Sequence, residues 1–338
     1  MSTLPVSRGR CGLCAGQALE SLPLPRSTVG GALAALPGLG LVRCRACGQE
    51  QVDPRPSDQA LSAFYQGQDY TAHEPVDDAA ARRRAAGQLA VITRAGGVLS
   101  GARVLDVGCG GGQLLAAARA AGAQVCGVDV AMHAQAACAA QGLECVASLE
   151  ALGERSFDGI VMSHVLEHVP DVLAYLAQLR ARLAPGGWLC LEVPNRGSLR
   201  ARLSPRWVTS LGADERHRAF PIHLWYFTQD TLTRALTASG FAVALSTTSG
   251  FGVDALAPRW LAARVGLGLR PQPSARQPSA RGAGGGEGDA GGGEGDAGLA
   301  AAGQGRATTA RQRARGALKR RYFDALLGEN LLVVARSR

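Results

Sequence analysis

The sequence is almost without lysine: Lys319 stands alone among 36 basic side chains, the rest being arginine. Its net charge of +9 therefore reflects genomic composition as much as selection for an anionic partner. Location matters more than size. Residues 259–338 hold 14 Arg/Lys against 6 Asp/Glu, leaving 22 against 21 for residues 1–258, so the basicity belongs to a tail. A nucleic-acid partner is not favoured on that distribution. No charged segment followed by a long apolar run opens the chain, which argues against a secretory signal. The uncharged stretch 27–42 is broken by Pro37 and several glycines and falls short of a membrane span. A cytoplasmic protein without a transmembrane segment is the expectation. Gly-Lys-Ser/Thr loops and a nucleophile-elbow serine are both absent, which removes P-loop phosphate chemistry and serine-hydrolase chemistry.

What is present is organised around residues 104–112, VLDVGCGGG, and the QLLAAARAAG that follows. Val104, Leu105 and Val107 read as a buried strand, the glycines as a turn, and the following segment as a helix ending at Gly122. Strand, bare turn and helix in that order bring backbone N–H groups close to a ligand at a helix N-terminus. The turn has Gly108, Gly110 and Gly112, but Gln113 stands where a dinucleotide fingerprint wants glycine or alanine. Asp106 would sit against a pyrophosphate, and suits a neutral or cationic ligand with an amino group better. Asp129, 21 positions after Gly108 at the end of QVCGVDV, is placed where an acidic side chain accepts both hydroxyls of a ribose.

From 101 onward, strands and helices alternate with short connections, which predicts a parallel sheet covered on both faces. Strands are expected at 103–107, 124–129, 143–147, 157–163 and 187–193, and helices at 112–121, 131–140 and 171–184. Gly122 and Gly142 sit where C-caps belong. Residues 223–249 give a helix capped by Thr228 and then a sixth strand.

The turn, Asp106 and Asp129 together resemble the class I S-adenosylmethionine-dependent methyltransferases. The resemblance implies an α/β fold with a Rossmann-like, seven-stranded, mostly parallel sheet whose last strand is antiparallel, a part that ENLLVVARSR would supply. It implies S-adenosylmethionine as cofactor, held by Asp106, Gly108, Cys109 through its backbone, Gly110, Gly112, Asp129, Val130, Ser148 and Ser163. LRARLAPGGWLCLEVPN (179–195) becomes the last helix of the set, its Pro-Gly-Gly turn and the fifth strand.

Ahead of that domain, Cys11-x-x-Cys14 and Cys44-x-x-Cys47-Gly48 have the spacing of a four-thiolate zinc ribbon. Two disulfides are the alternative, disfavoured where thiols stay reduced. Four thiolates leave no open coordination position, so the zinc is read as structural. The text after the second pair, with Pro54, Pro56, Tyr65 and Tyr70, looks like the leader of bacterial methyltransferases from glycan, lipopolysaccharide and natural-product pathways. Residues 77–95 read as an amphipathic helix leading into the first strand. The expected divisions are a zinc-ribbon-like module at 1–60, a helical leader at 61–100, the methyltransferase domain at 101–253, a Gly/Pro/Arg-rich insertion at 254–316, and a C-terminal helix and strand at 317–338. QPSAR and GGGEGDA each occur twice within the insertion, and such repeats bury too little to offset ordering entropy.

Methyl transfer to a hydroxyl or amine needs a place for the acceptor's proton, a task that suits histidine. His164 and His168 lie in SHVLEHVPD after the fourth strand, and His217 and His223 in ADERHRAFPIHLWYF. His223, His168 and His164 are the candidate catalytic groups, His223 first. Glu167 and His168 have a bland reading as a structural turn. A Glu-x-x-Glu-His metal motif of some ubiquinone-pathway and small-RNA O-methyltransferases is resembled in part, with His164 in place of the first Glu; it implies His164, Glu167, His168 and His223 as ligands. Trp207, His217, His223, Trp225 and Tyr226 would line the acceptor. Cys109, Cys126, Cys138, Cys145 and Cys190 read as buried, inert thiols. The resulting expectation is O-methylation of a sugar, polysaccharide or natural-product intermediate. An RNA methyltransferase with a zinc-binding recognition module and a non-catalytic binding protein are the alternatives.

Overall fold

The computed structural model describes residues 9–24, 38–57, 60–61, 78–198, 220–249 and 330–337. Tyr65, Tyr70, Trp207, His217 and the segments expected at 254–316 and 317–327 lie outside the described residues.

The main sheet grows from the apolar run Arg103–Val107 (β4). Around it stand Gln124–Val128 (β5), Cys145–Val146 (β6), Phe157–Ser163 (β7), Leu183–Pro194 (β8), Phe241–Ser249 (β10) and Asn330–Ser337 (β11). Their spatial order is β10-β11-β8-β7-β4-β5-β6. β4 to β8 pair in parallel, whereas β11 runs antiparallel between β8 and β10. This is the Rossmann-like α/β sheet expected from the sequence, with ENLLVVARSR supplying the antiparallel strand.

Alternation along the strands divides the core into two faces, because successive side chains point to opposite sides. Leu105, Ile160, Met162, Leu189, Leu191 and Val193 join Leu176 and Leu179 of Val172–Ala181 (α4) and Leu232 and Leu236 of Gln229–Ala238 (α5). Val104, Val161, Trp188 and Cys190 face Ala85 and Ile92 of Asp78–Arg94 (α1) and Leu114 and Ala118 of Gln113–Ala120 (α2). The small helix Met132–Ala139 (α3) covers β5 and β6 with Cys138 and Leu143 in a separate cluster. Gly122 and Gly142 have positive φ, 89° and 61°. Beside each, the following N–H returns to a helix carbonyl, Ala123 to Ala118 and Leu143 to Cys138, the pattern of a Schellman end. Thr228 caps α5 in a reciprocal box with Thr231.

One expected helix is shorter than its sequence suggested. α4 stops at Ala181, and the chain already pairs as strand at Leu183, opposite Phe157. Pro185 explains the early stop, since the residue before a proline is pushed out of the helical region.

The N-terminal cysteines belong with a second sheet of four strands, Leu19–Leu22 (β1), Gly40–Cys44 (β2), Glu50–Asp53 (β3) and Trp225–Tyr226 (β9), in that order, Cys44 at the end of β2 and the other three in turns beside it. β9 falls between β8 and β10 in sequence, just over 170 residues after β3. It pairs Gln51 with Trp225 and Glu50 with Tyr226.

Candidate functional site

The turn after β4 opens at the carboxyl edge of the sheet. Gly108, Gly110 and Gly112 have φ of 74°, 50° and 77°, a region that side chains with a Cβ avoid. A Cβ on Gly108 would lie 2.3 Å from Val165 Cγ2, and one on Gly112 would lie 2.8 Å from Leu143 Cδ1, whereas one on Gly110 would meet nothing within 4 Å. Two glycines are thus packed from behind while the middle one faces open space. Asp129 is bound to this turn: its Oδ2 accepts the Gly110 N–H at 2.9 Å and its Oδ1 the Ala131 N–H at 2.9 Å. Neighbouring Val130 is 62 % exposed. Asp106 is buried beneath, and burial followed by the charge of Asp129 pushes its carboxyl up to about 7. A cationic ligand in this crevice would relieve both carboxylates at once. Cys109, in the same turn, is buried with its side chain directed away from the open space and onto Cys138 and Cys145.

The two serines stand elsewhere. Ser148 follows β6 and its hydroxyl accepts the Ala151 N–H at 3.4 Å, starting a 3-10 turn at Glu150–Leu152. Ser163, at the end of β7, donates to Glu192 Oε2 at 3.3 Å and accepts from the Gln88 amide of α1. Glu192 is fully enclosed and takes three more donors, the same Gln88 amide on Oε2, and on Oε1 Ser249 Oγ at 2.9 Å and Asn330 Nδ2 at 3.2 Å. Sequence reading missed this carboxylate. Its signal was one acidic residue inside LCLEVP, where a buried strand should be uniformly apolar.

Beyond β7, one carboxylate gathers three histidines. Glu167 lies in the 3-10 turn Leu166–His168 and is 1 % exposed. His164 Nδ1 stands 3.4 Å and His168 Nε2 3.9 Å from its Oε1. Glu167, His168 and His223 hold ligand atoms within 4.8 Å of one another. Both Glu167 oxygens are sealed from solvent without a well-formed hydrogen bond, so ion pairing carries the group. Burial alone would raise its pKa, but the His164 contact and the charges of His168 and His223 win and lower it to about 2. His168 donates from Nδ1 to the Ile222 carbonyl at 3.0 Å and meets His223 edge to face at 4.8 Å. His164 differs from both. Its φ is 53°, its side chain is 29 % exposed, and the next residue, Val165, is the one packed on Gly108. Desolvation pulls its pKa down, but the Glu167 contact and then the charges of Glu167 and Glu192 raise it above the ordinary histidine value.

The described members of the expected aromatic wall, His223, Trp225 and Tyr226, are buried. Trp225 and Phe227 are buried and stack at 6.3 Å, and the Trp225 indole N–H donates to the Val169 carbonyl at 2.6 Å. Trp225 instead anchors the second sheet: Arg55 lies 5.2 Å over its ring, and a Cβ on Gly12 would be 2.4 Å from it. Tyr226 is also buried, with its ring 6.4 Å from that of His223.

Cys11, Cys14, Cys44 and Cys47 bring four sulfurs within 4.8 Å of one another, with Cys11–Cys47 and Cys14–Cys44 each at 3.6 Å. Tetrahedral zinc with Zn–S of about 2.3 Å spaces its sulfurs by about 3.8 Å, so the four residues fit the ion. After each pair the chain turns left-handed, at Ala15 (φ 58°) and Gly48 (φ 79°). The two knuckles thus share one backbone form, and the Leu13 N–H points at Cys11 Sγ from 3.4 Å.

Among the described residues, no helix is long and apolar enough to cross a membrane. A family model described as a methyltransferase domain matches residues 78–246, half of the chain. The ubiquinone biosynthesis O-methyltransferase of Xanthomonas campestris pv. campestris (strain B100) is 43% identical over 108 residues, 29% of this chain and 45% of that protein. The protein of the same name from Bordetella pertussis is 37% identical over 119 residues, 32% of this chain and 49% of that one. The chain thus spans about half the length of the curated relatives it matches. A SAM-dependent methyltransferase structure from Archaeoglobus fulgidus superposes with a TM-score of 0.45 at 17% identity, covering 76% of this chain and 94% of that one. With the family model spanning half its length across the glycine turn, Asp129 and the histidine cluster, the chain belongs to the methyltransferase-domain family.

Proposed function

We propose that the protein is an S-adenosylmethionine-dependent O-methyltransferase acting on a hydroxyl of a sugar, polysaccharide or natural-product intermediate. The observation that carries the reading is the open glycine turn, bound to Asp129 and lying over the buried Asp106. When bound, S-adenosylmethionine supplies an electrophilic methyl group. Gly108, Gly110 and Gly112 leave room for it, Asp129 keeps lone pairs for ribose hydroxyls beyond its two N–H contacts, and Asp106 supplies negative charge for its cationic part. Val130 offers an apolar surface beside them. Ser163 and Ser148 have the weaker claim, since their hydroxyls are engaged within the protein.

Displacement at a methyl group is in line, so the acceptor oxygen has to be held against the donor while its proton leaves. His164 is the best-placed base of the three histidines. Glu167 occupies its Nδ1 side, which leaves Nε2 to take the proton, and the pairing strengthens the base. His168 and His223 then hold the charge of Glu167. The relatives named for O-methylation in ubiquinone biosynthesis make a phenolic hydroxyl a second acceptor to test. Cys11, Cys14, Cys44 and Cys47 would hold a structural zinc without a part in the chemistry.

The test is donor binding by calorimetry, followed by release of S-adenosylhomocysteine against a panel of glycans, lipid-linked sugars and phenols. Binding with turnover on a hydroxyl acceptor supports the reading. No donor affinity at all, or turnover confined to RNA, overturns it.

A further inference from the structure

Behind the donor turn lies a second group of thiols that neither the ribbon nor the donor crevice uses. Cys109 comes from the turn itself, Cys138 from α3 and Cys145 from β6, and their sulfurs lie within 4.8 Å of one another. Cys109 Sγ is 3.4 Å from Cys145 Sγ and 3.8 Å from Cys138 Sγ. Cys109 and Cys138 are buried and Cys145 half-buried, in a small cluster with Leu115 and Leu143. No fourth cysteine, histidine or carboxylate joins the group among the described residues.

The charge balance decides what such a group can hold. Three thiolates around a monovalent soft ion leave a net charge of minus two, and around a divalent ion minus one. Burial, and then the Asp106 carboxylate, already hold the Cys109 thiol protonated well above its ordinary range. An uncompensated charge here is expensive. A trivalent ion leaves no charge. Geometry agrees, because tetrahedral thiolate sites space sulfurs by about 3.8 Å and planar three-coordinate ones by about 4.0 Å at the same bond length of about 2.3 Å. The 3.4 Å edge between Cys109 and Cys145 suits the narrower angles of a pyramidal p-block centre.

We propose that Cys109, Cys138 and Cys145 form a three-thiol site for a trivalent metalloid of the arsenite class. The step is an exchange without oxidation or reduction. Three S–H bonds and the three As–OH bonds of trihydroxyarsine break, three As–S bonds form, and each thiol proton leaves with a hydroxide as water. Occupancy would join the donor turn, α3 and β6 through one atom. Cys138 would then lose the S–H it directs at the Gly110 carbonyl, 3.6 Å away.

The full-length, zinc-loaded protein is incubated with arsenite under reducing conditions and desalted, and arsenic and zinc are counted per chain. One arsenic per chain with full retention of zinc is expected for the wild type, and none for Cys145→Ser or Cys138→Ala. Cys145→Ser removes only a half-buried thiol, so it decides the matter if Cys138→Ala fails to fold. Equal arsenic in wild type and Cys145→Ser, no arsenic in the wild type, or arsenic gained in step with zinc lost overturns the site. None of these readouts depends on methyl transfer, so the outcome is independent of the proposed function.

Discussion

His164 holds a left-handed backbone, φ 53°, which costs a residue with a Cβ about 1–2 kcal/mol. Its neighbour Val165 fills the space left by the missing Gly108 side chain, so the strain is tied to the donor turn. His164→Gly relieves that strain but takes from the buried Glu167 its nearest partner, so the unfolding temperature should fall only modestly while most of the turnover is lost. A large loss of stability with activity intact would contradict the assignment of His164 as base. The pH profile gives a second check. The Glu167 contact raises the His164 pKa above the ordinary value near 6.5, so the proton-accepting form grows as pH climbs through that raised value, and kcat/KM should rise with it. Glu167→Gln removes the contact and the charge of Glu167 and leaves desolvation opposed by Glu192, so its profile should shift to lower pH as the maximal rate falls.

The donor carboxylates make a prediction with the same sense. Asp106 titrates near 7 because it is buried and faces Asp129, and a cationic donor prefers it ionised. Donor affinity should be weaker at pH 6 than at pH 7.5, by up to about tenfold for one linked proton. Asp106→Asn should flatten that dependence. Asp129→Ala should weaken donor binding strongly without unfolding the protein, and calorimetry showing unchanged affinity would sink its ribose role.

At the scale of elements, the second sheet depends on its knuckles and on β9. Cys44→Ser removes one of four sulfurs that stand close enough to share an ion, and should lower zinc from one per chain to none on metal analysis. One zinc in both proteins would count against the ribbon. β4, its glycine turn and α2 were legible in the sequence because each is encoded within a few neighbouring residues. Periodicity marks the strand, glycine the turn, and alanine and leucine the helix. β11 was legible for the same reason. Pairing of β3 with β9 was not, since Gln51 and Trp225 carry no mutual signal in the text. Trp225 was read as an acceptor wall because an aromatic side chain looks alike in a core and in a pocket. The hub role of Glu167 was hidden too. Its partners come partly from SHVLEHVPD, where the spacing is visible, and partly from His223, over fifty residues on, where it is not.

At the scale of the whole molecule, contacts between distant segments decide how the two sheets depend on each other. The Val52 N–H bonds to the Leu224 carbonyl at 2.9 Å, and the Leu224 N–H to the Glu167 carbonyl at 2.7 Å. His223 therefore stands between the ribbon strand β3 and the Glu167 turn. Glu50, on the same strand, pairs with Arg43 of β2 at 2.5 Å and with Arg196, just beyond β8, at 2.6 Å. Both ion pairs are partly buried, and one carboxylate thus ties β2, β3 and the segment after β8 together. A ribbon joined this way cannot melt by itself without breaking β9 away and loosening the His223 segment. Zinc binding energy is folding energy in small thiolate modules, and here it should be passed on to the larger sheet. Differential scanning calorimetry of the zinc-loaded protein should show β3, β9 and the main sheet unfolding in one transition, and a chelator should move that whole transition to lower temperature. Two separate transitions, with only the first sensitive to chelator, would mean that the β3–β9 pairing does not couple the ribbon to the histidine cluster.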